Sequence, residues 1–108
     1  MGVSIEKTGM QIYAAISGDI DHHSAKNIRE KIDCEIEHTQ PDILTLDFKD
    51  VGFMDSSGIG LVMGRYKLMS EYGGEIEITN LSPHIRKVMR LAGLDRLAKI
   101  DSTKGEVK

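Results

Sequence analysis

The sequence has little of what most catalytic and nucleic-acid-binding sites require. Its single cysteine, Cys34, excludes an internal disulfide and a cysteine-based metal cluster within the chain, and we expect an inert free thiol. The chain has 14 Lys and Arg residues against 17 Asp and Glu residues. Its net charge of −3 argues against a protein that binds nucleic acid through phosphate contacts. Long apolar runs and a signal peptide are also missing. We expect a cytoplasmic protein without a nucleic-acid or membrane partner.

Motifs of nucleotide-binding enzymes and metal sites are also missing. There is no Walker-type G-x-x-x-x-G-K-[ST] loop, and Met63 stands where a G-x-G-x-x-G pattern needs its third glycine. His22 and His23 are adjacent on a predicted helix, so they point about 100° apart, and no Cys or second His lies at metal-ligand spacing. We therefore expect no catalytic site, no metal and no cofactor, and we interpret both imidazoles as facing solvent or a partner.

What remains is the pattern of a small α/β domain, since 108 residues suffice for one packed core. Apolar periodicity predicts strands at 4–8, 11–17, 43–48 and 75–79, helices at 22–37 and 57–71, and a third helix from Ser82-Pro83. Residues 18–21 are expected to break the second strand, 49–52 to form a connection, and 94–100 to hold a short edge strand or helical turn.

Alternating strands and helices imply a mixed four- to five-stranded sheet with helices packed against it. The run at 43–48 is nearly continuous in apolar residues, which is typical of a strand covered on both faces. We expect one domain over 1–108, with its core at about 3–100 and a polar, frayed tail at 101–108.

A carboxylate and two hydroxyls stand between the third strand and its helix. Asp55, Ser56 and Ser57 are residue types that cap a helix by accepting hydrogen bonds from its free N–H groups. The same free donors and the helix dipole favour an added negative charge. Gly58 and Gly60 would let a partner approach the hydroxyls closely. The segment is a helix cap, a phosphorylation site, or both.

Four segments together resemble a known family. They are Gly18-Asp19-Ile20-Asp21-His22-His23-Ser24-Ala25, Phe53-Met54-Asp55-Ser56-Ser57-Gly58-Ile59-Gly60, Gly64-Arg65-Tyr66-Lys67 and Gly73-Gly74-Glu75. Over about residues 3–100 the chain is similar to the anti-sigma-factor antagonists, small bacterial proteins of the sulphate-transporter/anti-sigma-antagonist (STAS) domain superfamily. It looks most like the sporulation branch, the antagonists of the anti-sigma F factor.

The resemblance implies a partner-switching cycle. The unphosphorylated protein binds an anti-sigma factor that is also an ATP-dependent serine kinase, and this binding releases a sigma factor. The kinase phosphorylates the second serine of the Asp-Ser-Ser-Gly motif, here Ser57, and the complex separates until a phosphatase resets it. Ser56 is the rival acceptor, and only the family pattern favours Ser57. The chain supplies no catalytic group of its own.

The resemblance also implies a docking surface, in which the loop before the first helix and the Asp-Ser-Ser-Gly junction share one face. Its expected residues are Asp21, His22, Asp55, Ser56, Ser57, Gly58, Ile59 and Gly60. Asp21 is at the same time placed to cap the first helix. We expect a monomer when the protein is free. Two alternatives stay open: a scaffold or regulatory domain of a stress-signalling assembly, and a nucleotide-binding protein of the same fold.

Overall fold

A computed structural model describes residues 2–100 and places a five-stranded mixed sheet beside three helices. The elements are β1 (Gly2–Thr8), β2 (Gln11–Ile20), α1 (His22–Thr39), β3 (Ile43–Met54), α2 (Ser56–Glu71), β4 (Glu75–Thr79), α3 (Pro83–Leu91), a 3-10 turn (Leu94–Arg96) and β5 (Lys99–Ile100). The predicted fold class is confirmed, and 94–100 holds both a helical turn and an edge strand. The predicted frayed tail at 101–108 lies outside the described residues.

The strands lie side by side in chain order, and this order places all three helices on one face of the sheet. β1 is antiparallel to β2, and every later neighbour is parallel. From β2 onwards each new parallel strand is added on the same side of the previous one, after a helical connection. Because such crossovers are right-handed, the connecting helices lie on one face of the sheet. α1 packs on β1 and β2, α2 packs on β3 and β4, and the buried side chains of α3 join the same core.

The expectation that β3 is covered on both faces is wrong. Leu44, Leu46 and Phe48 point into the core under the helices, whereas Ile43 and Thr45 on the opposite face are only half-buried. This opposite face, which we call the open face, carries polar side chains across neighbouring strands. One of its rows runs through the paired positions Glu6, Tyr13, Thr45 and Glu77. Leu44, Leu46 and Phe48 alternate along the strand with residues of the open face, as expected for a strand with one face in the core.

β2 and β3 are longer than their hydrophobic patterns predicted. β2 continues to Ile20 through register shifts between Ala15 and Ser17 and between Gly18 and Asp19. Gly18 has a φ of 90°, a conformation that glycine adopts readily, so the chain bends without leaving the sheet. The lengthened β2 pairs with the polar second half of β3, and β3 therefore reaches Met54.

An ion pair in the interior fixes α1 against α2. Arg65 of α2 is 5% exposed, and its Nε lies 2.7 Å from Oδ1 of Asp33 on α1. Its Nη2 donates to Oδ2 of the same carboxylate at 3.2 Å, and Nη1 donates to the carbonyl oxygen of Leu61 at 3.3 Å. Burial raises the pKa of Asp33 and lowers that of Arg65. Burial is the main cause of both pKa shifts, and the opposite charge of the partner acts against each of them.

Candidate functional site

The two segments that the sequence singled out meet at one edge of the sheet. β2 and β3 end together, with Ile20 paired to Met54, and the N–H of Asp55 donates to the carbonyl oxygen of Ile20 at 3.1 Å. Asp21 and Asp55 each follow directly and cap α1 and α2. We call Asp21, Asp55, Ser56 and Ser57 the capping edge. Its backbone is set by strand pairing and helix caps.

Asp21 holds the start of α1 through a reciprocal cap. Its Oδ1 accepts from the backbone N–H groups of His23 and Ser24, both at 2.9 Å, and the Asp21 N–H donates to Oγ of Ser24 at 3.0 Å. Bonds from Ser24 and His23 lower the pKa of Asp21, with the Ser24 amide contributing most. The carboxylate is consequently ionised at neutral pH. Asp21 is a structural cap and a fixed negative charge at once.

Asp55 caps the start of α2 and accepts hydrogen bonds from the backbone N–H groups of Ser57 and Gly58. Its Oδ1 accepts from the Ser57 N–H at 2.7 Å, and its carbonyl oxygen accepts from the Gly58 N–H at 2.9 Å. The helix begins at Ser56, one residue earlier than predicted, with Ser56 exposed and Ser57 half-buried. From the sequence, the backbone N–H groups at the start of this helix were expected to be free, but those of Ser57 and Gly58 are already hydrogen-bonded.

Gly58 and Gly60 differ in their surroundings, and only one fits the role predicted for both. Gly58 is buried, and a Cβ built on it would lie 2.1 Å from Cγ and 2.3 Å from Sδ of Met54. It lets α2 pack against the end of β3 and offers no surface to a partner. Gly60 is exposed, and a Cβ there would have nothing within 4 Å. Of the two glycines, only Gly60 has the exposed position that the predicted close approach by a partner requires.

The exposed side of α2 extends the capping edge along the helix. Ser56, Gly60 and Met63 follow one another at helical spacing and are exposed, with Met63 at 45%. Ile59 is half-buried and packs on the core, whereas His22 at the start of α1 is exposed. Met63 was not predicted to belong to this surface. Its position two helical turns after Ser56, on the same side of the predicted helix, could have identified it.

A basic groove between α1 and α2 was also missed. A cavity of about 460 Å³ is lined by His22, Ala25, Lys26, Arg29, Ser57, Gly60 and Leu61. Every titratable side chain in this lining comes from α1 and is basic, and Ser57 lies on the α2 side. The spacing of 22, 26 and 29 along a predicted helix already placed these side chains on one face. Only the packing of α1 beside α2 brings that face to Ser57.

A separate polar cluster lies on the open face. Asp47 accepts hydrogen bonds from the Tyr13 hydroxyl, the Lys49 N–H at 2.8 Å and the Asn80 side-chain amide at 3.0 Å. Desolvation opposes ionisation of Asp47, but these bonds outweigh it and lower its pKa. The hydrogen bond to Asp47, aided by burial, raises the pKa of Tyr13 to about 12. The cluster ties β2 and β3 to the turn after β4.

The described residues contain neither a candidate metal site nor a helix suited to cross a membrane. Among residues 2–100 there is no group of three or more His, Cys, Asp or Glu side chains placed to hold a metal ion. The rings of His22 and His23 lie 5.8 Å apart in an edge-on arrangement. None of the helices in this part of the chain combines the length and apolar character needed to cross a membrane.

Comparison with known proteins identifies the family. The STAS domain family matches residues 4–107 of the sequence. The chain belongs to the STAS domain family. An anti-sigma F factor antagonist from Paenibacillus polymyxa is 35% identical over 85 residues, which cover 79% of this chain and 73% of the relative. An anti-sigma-B factor antagonist from Bacillus subtilis is 33% identical over 102 residues, 94% of this chain and 92% of the relative.

Solved STAS structures agree with this assignment over nearly the whole chain. The anti-sigma factor antagonist SpoIIAA in its unphosphorylated form is 30% identical, with a TM-score of 0.81 over 97% of this chain and 92% of that one. The phosphorylated form of SpoIIAA, from Bacillus, has a TM-score of 0.74 at 30% identity, over 97% and 96% of the two chains. The predicted resemblance to the anti-sigma-factor antagonists is confirmed.

Proposed function

We propose that this protein is an anti-sigma-factor antagonist whose unphosphorylated form binds an anti-sigma factor and so releases a sigma factor. The observation that carries the proposal is the capping edge, where two acidic caps and two serines share one rigid border of the sheet. The similar proteins named as antagonists of the anti-sigma F and anti-sigma-B factors support it. Within this proposal we assign the chain to sporulation, on the segments that look most like the sigma F branch.

Phosphorylation of Ser57 by the anti-sigma factor, acting as an ATP-dependent serine kinase, is the proposed off-switch. Phosphate adds about −1.5 to −2 charges at neutral pH. At a contact of about 4 Å and an effective dielectric of 20, one like charge costs on the order of 4 kcal/mol. This is nearly three decades in affinity, since each ~1.4 kcal/mol is tenfold. A phosphatase that removes the phosphate would restore binding.

The proposed docking surface combines the capping edge with the exposed start of each helix. His22 and Gly60 stay within it because both are exposed, and Met63 extends it with apolar area. Gly58 and Ile59 support this surface from beneath. Gly58 packs on Met54, and Ile59 packs on the core. In this role the protein is a cytoplasmic substrate and inhibitor of its kinase and a monomer when free, with no enzymatic activity of its own.

The test of the switch is phosphorylation by the candidate anti-sigma kinase with ATP. Wild type, Ser56→Ala and Ser57→Ala are incubated in parallel and analysed by intact and peptide mass spectrometry. We expect one phosphoryl group on wild type and Ser56→Ala and none on Ser57→Ala. Phosphoryl transfer to Ser57→Ala but not to Ser56→Ala would assign the switch to Ser56. No transfer to any form, with a control substrate phosphorylated, would reject the proposed kinase partner.

Asp21→Asn tests whether the first cap also binds the partner. Asn caps a helix about as well as Asp, so the free energy of unfolding should change by less than about 0.5 kcal/mol. Loss of the charge should weaken binding to the anti-sigma factor about tenfold or more if a partner cation meets it. Calorimetric binding and urea unfolding of the same samples separate the two effects. Unchanged affinity would remove Asp21 from the docking surface and leave it a cap.

A further inference from the structure

The basic groove raises a question about the fate of a phosphate on Ser57, and this question rests on the proposed function. Ser57 lines the groove from the α2 side, and His22, Lys26 and Arg29 line it from the α1 side. All three basic side chains are exposed. Within the described residues, the ion pairs with carboxylates involve other cations, Lys7 with Glu35 and Arg65 with Asp33. The groove therefore holds positive charge and the serine together.

The backbone at the start of α2 offers this phosphate little. The Ser57 N–H already donates to Oδ1 of Asp55, and the Gly58 N–H donates to the Asp55 carbonyl oxygen. A phosphate that took the Ser57 amide would have to displace a carboxylate of its own sign. Side chains can supply further compensating charge, and the basic side chains that share a cavity with Ser57 belong to α1.

We propose that a phosphate on Ser57 turns into this groove and is bound within the same chain by Lys26 and Arg29. The two residues stand three apart on α1, so their side chains project from one face of the helix. A phosphate with three acceptor oxygens can receive charge-assisted hydrogen bonds from an ammonium and a guanidinium together. The unphosphorylated protein keeps the groove open and basic, and the phosphorylated protein fills and neutralises it.

Ser56 provides a matched control within the same helix turn. It is exposed, it lies at the same helix N-terminus, and it is absent from the lining of the groove. A phosphate on Ser56 meets the same helix dipole without the cations of α1. The difference between phosphates on the two serines therefore isolates the contribution of the groove.

The experiment uses full-length protein in which phosphoserine is installed during translation at position 57 or at position 56. The second pKa of each phosphate, ordinarily about 6, is measured by ³¹P NMR titration. Nearby cations favour the dianion, so we expect the pKa at position 57 to lie about 0.5 unit or more below that at position 56. The double variant Lys26→Gln/Arg29→Gln should raise the value at 57 towards that at 56 and leave 56 unchanged. Both substitutions are at exposed positions, and circular dichroism checks the fold.

Equal pKa values at the two positions in the native chain would overturn the proposal. So would a difference that persists in the double variant, because its source would then be His22 or the backbone rather than Lys26 and Arg29. If the double variant unfolds, the single variants Lys26→Gln and Arg29→Gln are read in the same way. No kinase is used, so a failed kinase assay rejects the proposed function without affecting this measurement, and equal pKa values reject the groove without affecting the kinase result.

Discussion

Gly58 and Gly60 stand two residues apart in α2 and have opposite surroundings. Gly58 is in contact with Met54 at the end of β3, and Gly60 faces solvent. The sequence predicted both helix caps correctly, because capping depends on residue type and position relative to the apolar pattern. It could not distinguish the two glycines, because the distinction depends on Met54, which β3 brings beneath α2 only in the fold.

The substitutions Gly58→Ala and Gly60→Ala should change stability in opposite directions. The new methyl group at Gly58 would overlap Met54, so we expect a net loss of about 1–2 kcal/mol after the gain in helix propensity. At Gly60 the methyl group meets open space, and we expect a gain of about 0.5–1 kcal/mol. Urea unfolding of the two variants measures both effects. A similar change of the same sign in both would contradict this assignment.

At the scale of elements, the junction depends on how long β2 and β3 are. The hydrophobic pattern ended these strands at residues 17 and 48, since Gly18 and the polar residues after Phe48 are typical of loops. The structure keeps both in the sheet, because a bulge at Gly18 restores pairing and each strand supplies the other's hydrogen bonds. Local sequence patterns cannot report pairing between two individually weak segments.

The ion pair of Arg65 and Asp33 joins α1 to α2 and predicts a non-additive pair of mutations. Asp33→Leu leaves a buried guanidinium without its partner and should cost about 3 kcal/mol or more. Arg65→Met should cost less, because the side chain of Asp33 is 28% exposed and can still reach water. The double variant should be more stable than Asp33→Leu alone, since it removes both desolvated charges.

Urea unfolding of the two single variants and the double variant completes this thermodynamic cycle. If the losses of the single variants simply add in the double variant, the ion pair carries no coupling and another contact fixes the two helices. Binding of the anti-sigma factor to the double variant is a second readout. A repacked α1–α2 contact that shifts the capping edge should weaken that binding even where stability is kept.

At the scale of the whole molecule, the sheet has one face under helices and one open face. The first four strands, the three helices and their order could be predicted from apolar periodicity, whereas the fifth strand was left open between an edge strand and a helical turn. The single-sided arrangement could not, because it follows from strand order, and strand order is a property of long-range pairing. The cluster of Tyr13, Asp47 and Asn80 on the open face was not predicted for the same reason. Asp47 is 34 residues from Tyr13 and 33 residues from Asn80 along the chain.

This cluster predicts how stability changes at alkaline pH. Tyr13 has a pKa of about 12 in the folded chain against a model-compound value of 10.0, so its contribution is complete below pH 10. Between these values the unfolded chain loses the proton first, and the contribution declines as pH rises towards 12. Tyr13→Phe should lower stability by about 1 kcal/mol at neutral pH and show a smaller decline above pH 10.

The measurement is urea unfolding of wild type and Tyr13→Phe across this pH range, with tyrosinate absorbance followed in parallel. Tyr72→Phe is the matched control, because Tyr72 has the same 39% exposure and lies at the end of α2. A constant difference between wild type and Tyr13→Phe across the range would show that the hydroxyl gains nothing from the carboxylate of Asp47.

The fixed backbone of the capping edge also bears on timing. Paired strands and bonded caps hold Asp21 and Asp55 before any partner arrives. Docking then needs no ordering step, and association can proceed at the roughly 10⁵–10⁷ M⁻¹s⁻¹ typical of preformed surfaces. A change in affinity at such a surface changes mainly the dissociation rate of the complex. Under the proposed function, we therefore expect dissociation of the phosphorylated protein from its kinase, rather than formation of their complex, to set the rate at which the kinase becomes available again.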